Sequence, residues 1–182
     1  VSARAVVFGL LPLILCSGSV DAQGGEQWTS PTVLSQGDAS RVGESLSFTA
    51  PALAADDWGA VHAIWTGCAN DEQAAGERGC SLYYSVLDDQ SWSEPVDILY
   101  QAEGNLWLPK VTADSRGRLW LAWMAGATGQ VSYAWALADQ AGDARAWSPA
   151  SPLSAGSASG FAISSDDNGG IHAVYCGLGG AA

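Results

Sequence analysis

Acidic side chains dominate the residues of this chain that could take part in chemistry. Carboxylates serve as general acids, as nucleophiles or as polar contacts to a bound molecule. One segment concentrates four charged residues, at Asp71, Glu72, Glu77 and Arg78. A later segment adds two more polar residues, Glu103 and Asn105. Whether these groups meet at one site depends on the elements that hold them.

Three other acidic positions have a different character, because each is followed by glycine within three residues. They are Asp56-Asp57, Asp114 and Asp166-Asp167. Asp and Asn before Gly favour tight hairpin turns. Each turn offers one or two carboxylates, which is too few for a calcium site. We interpret these residues as turn residues and expect neither a metal nor another cofactor.

The turns belong to a fifteen-residue motif that occurs three times, at residues 51–65, 109–123 and 161–175. Every copy has Asp at position 6, Gly at position 9, an aliphatic residue at position 11 and Trp or Tyr at position 15. Two apolar, partly alternating runs joined by D-x-x-G predict a β-hairpin. The copies begin 58 and 52 residues apart, which is the scale of a propeller blade.

A second motif supplies further strands. Tryptophan followed by Ser or Thr-Ser and then by proline occurs at 28–31, 92–95 and 147–149. Another β-rich run precedes the second and third copies. Each repeat thus has four predicted strands, a to d in chain order, with the hairpin as a and b and the tryptophan motif in d. Four strands per repeat predict an all-β partial β-propeller with about two and a half blades. Its predicted parts are a closing strand at 27–34, blades at 48–99 and 106–153, and a half blade at 160–176. A small β-sandwich, the competing architecture, does not explain a repeat in register.

The predicted propeller brings the loops between strands b and c and between strands d and a to one face. That face would display Asp71, Glu72, Arg78, Glu103 and Asn105, so we expect a ligand there. The third unit carries only strands a and b. We therefore expect the remaining blades in a C-terminal continuation of the same protein.

Residues 1–22 resemble a secretory signal, with Arg4, an apolar run and a small-residue cleavage site. The remaining chain, residues 23–182, is then expected outside the cell, in a periplasm or at a cell surface. A lipoprotein anchor at Cys16 ranks lower, because Leu15 is too large for the position before the cysteine. The apolar run is too short to span a membrane. A net charge of −12 argues against nucleic-acid partners.

Cysteines and aromatic residues complete the candidate groups. Cys68 and Cys80 flank the predicted b–c loop of the first blade, and export favours a disulfide between them. Cys176 has no evident partner within the sequence. His62 and His172 occupy the repeat position that Trp120 holds in the second copy, so we interpret both histidines as packing residues between blades. Position 15, with Trp65, Trp123 and Tyr175, is expected in the blade cores.

Trp107 and Trp135 are less constrained by the repeat and could stack on a sugar ring. Together with Arg78, Glu103 and Asn105 they are the candidate ligand-binding residues. The expected partner is a carbohydrate or a glycoprotein.

Two segments give the chain a resemblance to bacterial sialidases. F-T-A-P-A-L at residues 48–53 resembles the F-R-I-P motif of that family, and residues 82–95 resemble a strand followed by an Asp-box, S-x-D-x-G-x-T-W. Ser85, Ser91 and Trp92 match the box, whereas Leu87 and Asp89 replace its Asp and Gly. The resemblance implies a sialidase-like propeller.

For activity, the resemblance implies a catalytic acid in the b–c region of the first blade. Asp71 is the nearest candidate and Glu72 the second. The family's substrate-clamping arginine is replaced by Thr49, which cannot pair with a carboxylate in the same bidentate way. Three hypotheses follow: a sialidase-like glycoside hydrolase, a non-catalytic propeller that binds glycans or proteins, and a structural propeller of a larger cell-surface protein.

Overall fold

Antiparallel β-strands account for nearly all the regular structure. The computed structural model describes residues 33–34, 45–70, 79–101, 106–126 and 128–178, all within one unit, Val33–Ala182. The strands of this part of the chain are β1 Ser45–Ala55, β2 Val61–Asn70, β3 Cys80–Asp88, β4 Ser91–Trp92, β5 Val96–Gln101, β6 Leu106–Ala113, β7 Arg118–Ala125, β8 Gln130–Leu137, β9 Ser151–Ser165 and β10 Ile171–Gly177. Two single 3₁₀ turns, Ala138–Gln140 and Ala144–Ala146, lie between β8 and β9. The predicted all-β class is confirmed.

The first sheet has the order β1-β2-β3-β4, with β5 also paired to β3. The predicted fourth strand is therefore divided in two at Pro95, which has no N–H group to donate to a ladder. Ser93 bridges the break: its N–H donates to the Val86 carbonyl at 2.8 Å, and its Oγ accepts from the Val86 N–H at 3.1 Å. Ser148 and Trp135 form the same pair of bonds in the second sheet, at 2.8 and 3.0 Å. The serine of the Trp-Ser motif thus holds the outer strand to its neighbour.

The second sheet has the order β10-β9-β8-β7-β6. Its strand β9 is 15 residues long and pairs first with β8, through Ser151–Ser157, and then with β10, through Ala158–Ser165. The sequence analysis placed the end of one blade at 153 and the start of the next at 160. The structure joins the two segments into one continuous strand.

This second sheet is curled. β6 and β9 are not neighbours in the ladder, yet they contact each other, and β6 also contacts β1 of the first sheet. The β6–β9 contact is polar: the N–H of Ser165 donates to Thr112 Oγ1 at 3.2 Å, and Ser165 Oγ donates to the Ala113 carbonyl at 2.6 Å. The first strands of successive repeats, β1, β6 and the second half of β9, therefore lie side by side.

We name the three repeats from these strands. Repeat one is β1–β5, repeat two is β6–β8 with the first half of β9, and repeat three is the second half of β9 with β10. Alternate side chains of β7 point to opposite faces of its sheet. Leu119, Leu121 and Trp123 pack with Ile64 and other residues of repeat one, and this contact is the first interface.

The opposite face of β7 forms the second interface, with repeat three. Ala122 and Met124 there pack with Val131 and Ala158, and Phe161 and Ile163 lie against them. Repeat two is therefore enclosed between its two neighbours. The predicted core positions Trp65 and Trp123 are buried, whereas the third member, Tyr175, is 42% exposed because it lies on β10, the last strand of its sheet.

Candidate functional site

One edge of the sheets carries the chain reversals from β2 to β3, from β5 to β6 and from β7 to β8. We call it the loop edge; it is the face on which the sequence analysis expected a ligand. Cys68 and Cys80 lie opposite each other in the β2–β3 ladder and form the predicted disulfide. A covalent link at this point holds the ends of β2 and β3 together.

Trp107 lies on the loop edge and is held outward by a β-bulge. The register of β6 against β7 shifts between Trp107 and Lys110, and Leu108 has a φ of +49°. The left-handed region costs a residue with a Cβ about 1–2 kcal/mol. Pro109, the next residue, is fully buried, whereas Trp107 and Leu108 are 46% and 41% exposed. The bulge therefore anchors the strand at proline and directs an indole ring to solvent.

Tyr100 is a second exposed aromatic residue on the loop edge. It lies near the end of β5, pairs with Ser81 and is 65% exposed. Its ring approaches Gly79 so closely that a Cβ there would lie 2.6 Å from the phenol oxygen.

Trp135, the other tryptophan predicted to bind a ligand, lies at the opposite edge. It pairs with Trp120 near the start of β7, whereas Trp107 pairs with Met124 near its end. The guanidinium of Arg118 lies over both indoles, 5.0 Å from the Trp120 ring centroid and 5.8 Å from that of Trp135. The structure therefore does not bring Trp107 and Trp135 together.

The opposite edge, which we call the turn edge, carries the three hairpin turns of the repeat. In each turn, one oxygen of the aspartate accepts from the backbone N–H groups two and four residues later, over 2.8–3.0 Å; the aspartates are Asp56, Asp114 and Asp166. The glycine that follows has a φ of +76° to +90°, which Gly adopts at little cost. The prediction that these aspartates shape turns is confirmed.

The second carboxylate oxygen of each aspartate has a partner that the sequence analysis missed. It bonds a ring nitrogen of the residue six positions later: His62 Nε2 at 3.3 Å, Trp120 Nε1 at 2.9 Å and His172 Nε2 at 2.7 Å. We call each aspartate with its ring partner a clasp. The signal was present in the sequence, because each copy has Asp at position 6 and a ring N–H group at position 12. An indole replaces an imidazole there because both rings can donate an N–H.

In repeat one the clasp extends inward to a tyrosine. His62 is 2% exposed, and its Nδ1 lies 2.8 Å from the Tyr84 hydroxyl. Burial lowers the pKa of His62, although Asp56 opposes this effect, so the ring is neutral at pH 7. Since a carboxylate can only accept, we assign the single N–H to Nε2 and a donated hydroxyl proton to the Tyr84–Nδ1 bond.

The order Tyr–His–Asp resembles a proton relay, but its environment does not suit catalysis. Burial, followed by the charge of Asp56, raises the pKa of Tyr84 to about 12. Tyr84 is only 2% exposed, so no substrate reaches its oxygen. The arrangement satisfies buried polar groups at the first interface.

In repeat two the clasp gains an ion pair. Arg118 donates from Nε and Nη2 to the same Asp114 oxygen that accepts from Trp120, both at 2.7 Å. Burial alone would raise the pKa of Asp114, but hydrogen bonds from Trp120, Arg118 and Arg116 outweigh it and lower the pKa. The Asp114 side chain is fully buried, so its charge is compensated by these donors.

The turns of neighbouring repeats also contact one another. The ring of Trp58 lies so close to Gly117 that any Cβ there would overlap it. A Cβ on Gly169 would lie 3.2 Å from Arg116 Nε. Trp58 and Arg116 occupy position 8 of their motifs, and Gly117 and Gly169 occupy position 9. Position 8 of repeats one and two thus covers the glycine of the repeat that follows.

Most of the predicted site lies outside the described residues: Asp71, Glu72, Arg78, Glu103 and Asn105. Trp107 is the predicted ligand-binding residue that the structure places on the expected face. Within the part of the chain that is described, no three His, Cys, Asp or Glu side chains are grouped as a metal site requires. The same residues include no helix long and apolar enough to cross a membrane.

Comparisons with known proteins give no match to a family model and none to a curated protein. One local feature can be compared with the Asp-box pattern. Asp89, which stands in place of the box glycine, has a φ of +54° in the turn between β3 and β4. Asp is one of the few residues with a side chain that enters this region readily.

Proposed function

We propose that the chain is an exported, sialidase-like β-propeller that binds carbohydrate on its loop edge. Two features support the propeller. The first strands of the repeats lie side by side, and each repeat packs its sheet face on the next. The Cys68–Cys80 disulfide supports an extracellular or periplasmic location, because such bonds persist in oxidising compartments.

The observation that carries the binding function is the bulge at Trp107. Bulges re-aim side chains next to functional sites, and backbone strain persists where it serves a function. Here a left-handed Leu108 and a buried Pro109 maintain an exposed indole on the face where ligand contacts are expected. An exposed flat ring suits stacking on the apolar face of a sugar.

A binding role agrees with the described residues better than a hydrolytic one. Thr49 stands where sialidases place a clamping arginine. The turn aspartates, the acidic groups with the most contacts in this part of the chain, are occupied by clasps on the opposite edge. Asp71 and Glu72 remain the residues through which the alternative, a sialidase-like hydrolase, would act.

A glycan array probed with the protein tests the proposal. We expect binding that Trp107→Ala weakens by roughly tenfold, equivalent to about 1.4 kcal/mol. Trp58→Ala is the matched control, since it removes the same ring from the turn edge and should leave glycan binding unchanged. Equal binding by both variants and the wild type would rule out the loop edge as the site.

Turnover assays separate binding from catalysis. The proposal expects no hydrolysis of a fluorogenic sialoside by the protein. Turnover that Asp71→Ala abolishes would establish the hydrolase alternative instead.

A further inference from the structure

The second interface contains an apolar cavity of about 270 Å³. It lies between the β7–β8 face of repeat two and the hairpin of repeat three. Its wall consists of two aromatic rings and several aliphatic side chains: Trp120, Tyr133, Leu153, Ile163, Ile171 and Ala173. The rings of Trp120 and Tyr133 are stacked, with centroids 6.1 Å apart. We call this space between repeats two and three the interface cavity.

The repeat explains why the cavity is there. Position 14 faces the next repeat; it is Ile64 at the first interface and Ala122 at the second. Position 13 faces the preceding repeat; it is Leu121 at the first interface and Ala173 at the second. Both contributors to the second interface are thus reduced to alanine. The second interface is therefore less well packed than a protein interior, and the gap opens to solvent along β10.

We infer that the interface cavity is a binding site for a small apolar aromatic molecule of one or two rings. An apolar cavity of about 150 Å³ in another protein stays dry and binds benzene. The cavity here is larger, and its wall offers ring faces and methyl groups. The indole N–H of Trp120 is already donated to Asp114, so it does not favour a polar ligand. Carbohydrate, the ligand proposed for the loop edge, needs more polar partners than this wall provides.

A ligand can enter from the side of β10. Ala173 lines the cavity and is also exposed to solvent, as are its neighbours on that strand. Leu121 and Ala122, at the other side, are 1% exposed and form the closed end. The ligand would complete the contact that larger side chains make at the first interface.

Indole is a suitable probe, because its two rings match the aromatic wall. Calorimetry with the full chain should detect saturable indole binding, and methyl signals of Ile163 and Ile171 should shift in NMR spectra. Ala173→Leu, which copies Leu121, should weaken indole binding by roughly tenfold or more. Ala122→Ile, which copies Ile64, should do the same.

The control is Ala162→Ile. Residue 162 is exposed and adjacent to Ile163, so its side chain points to the other face of β9. Ala162→Ile adds the same atoms as Ala122→Ile but places them outside the cavity, so it should leave indole binding unchanged. If Ala122→Ile disrupts folding through overpacking, Ala173→Leu at the open end still tests whether indole binds in the cavity. Absence of indole binding by the wild type, or unchanged binding by a folded Ala173→Leu variant, would overturn the inference.

Discussion

The two interfaces of repeat two are built from the same positions but differ in how well they are filled. At the first, Leu119, Leu121 and Trp123 are almost fully buried against repeat one. At the second, the equivalent residues of repeat three are Ile171, Ala173 and Tyr175. Ile171 and Ala173 line the interface cavity, and Ala173 and Tyr175 are exposed to solvent. A sequence repeat therefore reproduces the backbone and its turns without reproducing the packing between copies.

The burial of the clasps differs in the same way: the clasp of repeat one is buried and that of repeat three is exposed. The Asp56 and His62 side chains are 6% and 2% exposed, whereas those of Asp166 and His172 are 37% and 70% exposed. The hydrogen bond from His172, followed by backbone N–H groups, still lowers the pKa of Asp166. The hydrogen-bond arrangement is thus the same in all three clasps, but the contribution of each clasp to stability should depend on how buried it is.

The largest expected difference comes from removing the same volume at each interface. Leu119→Ala should lower the free energy of unfolding by about 2–5 kcal/mol, because it empties a closed core. Ile171→Ala, at the same repeat position, should cost less than about 2 kcal/mol, since its surroundings are already partly open. Urea denaturation measures both. Equal losses would show that the two interfaces are packed alike.

A smaller difference in stability is expected between variants that lack the aspartate of a clasp. Asp114→Ala leaves the Trp120 N–H and the Arg118 guanidinium without their acceptor, which should cost about 1–3 kcal/mol. Asp166→Ala removes an exposed copy and should destabilise less. Thermal melts of the two variants test the order. A larger loss for Asp166→Ala would contradict the role given to burial.

The pH dependence should come from the buried histidine. Because the pKa of His62 is lowered in the folded protein, the unfolded chain binds the proton more readily. Its contribution to stability is complete above about pH 6.5, the ordinary value, and decreases as the pH falls below that, by at most about 1.4 kcal/mol per pH unit.

His62→Gln keeps an N–H donor for Asp56 but does not titrate. Its stability should therefore vary less between pH 7 and pH 5 than that of the wild type, as measured by urea denaturation at each pH. His172→Gln is the control at the exposed clasp. A wild-type slope that His62→Gln leaves unchanged would assign the dependence to other groups.

How far the sequence predicts this structure depends on the range of the interaction. The D-x-x-G hairpins and the Cys68–Cys80 disulfide were predicted because local turn chemistry and cysteine placement encode them. The clasps were missed because Trp120 looks unlike His62 and His172 until a shared N–H donor is sought. The bulge at Trp107 and the cavity depend on how β6 and β10 meet other strands, which no local pattern specifies.

The roles of individual residues could also be predicted from the sequence only in part. Trp107 and Trp135 were grouped because the repeat constrains them less than the other tryptophans, but the register of β7 places them at opposite edges. Arg118 was not considered, because its role arises from stacking on Trp120 and Trp135 while bonding Asp114.

The central claim is that the repeats stack in register, with position 8 of the first two turns covering the glycine of the turn that follows. Nuclear Overhauser contacts measured by NMR test it most directly. The claim predicts strong contacts from the Trp58 ring to the α protons of Gly117 and from the Arg116 side chain to those of Gly169. Spectra in which the hairpins show their own cross-strand contacts but neither of these would contradict it.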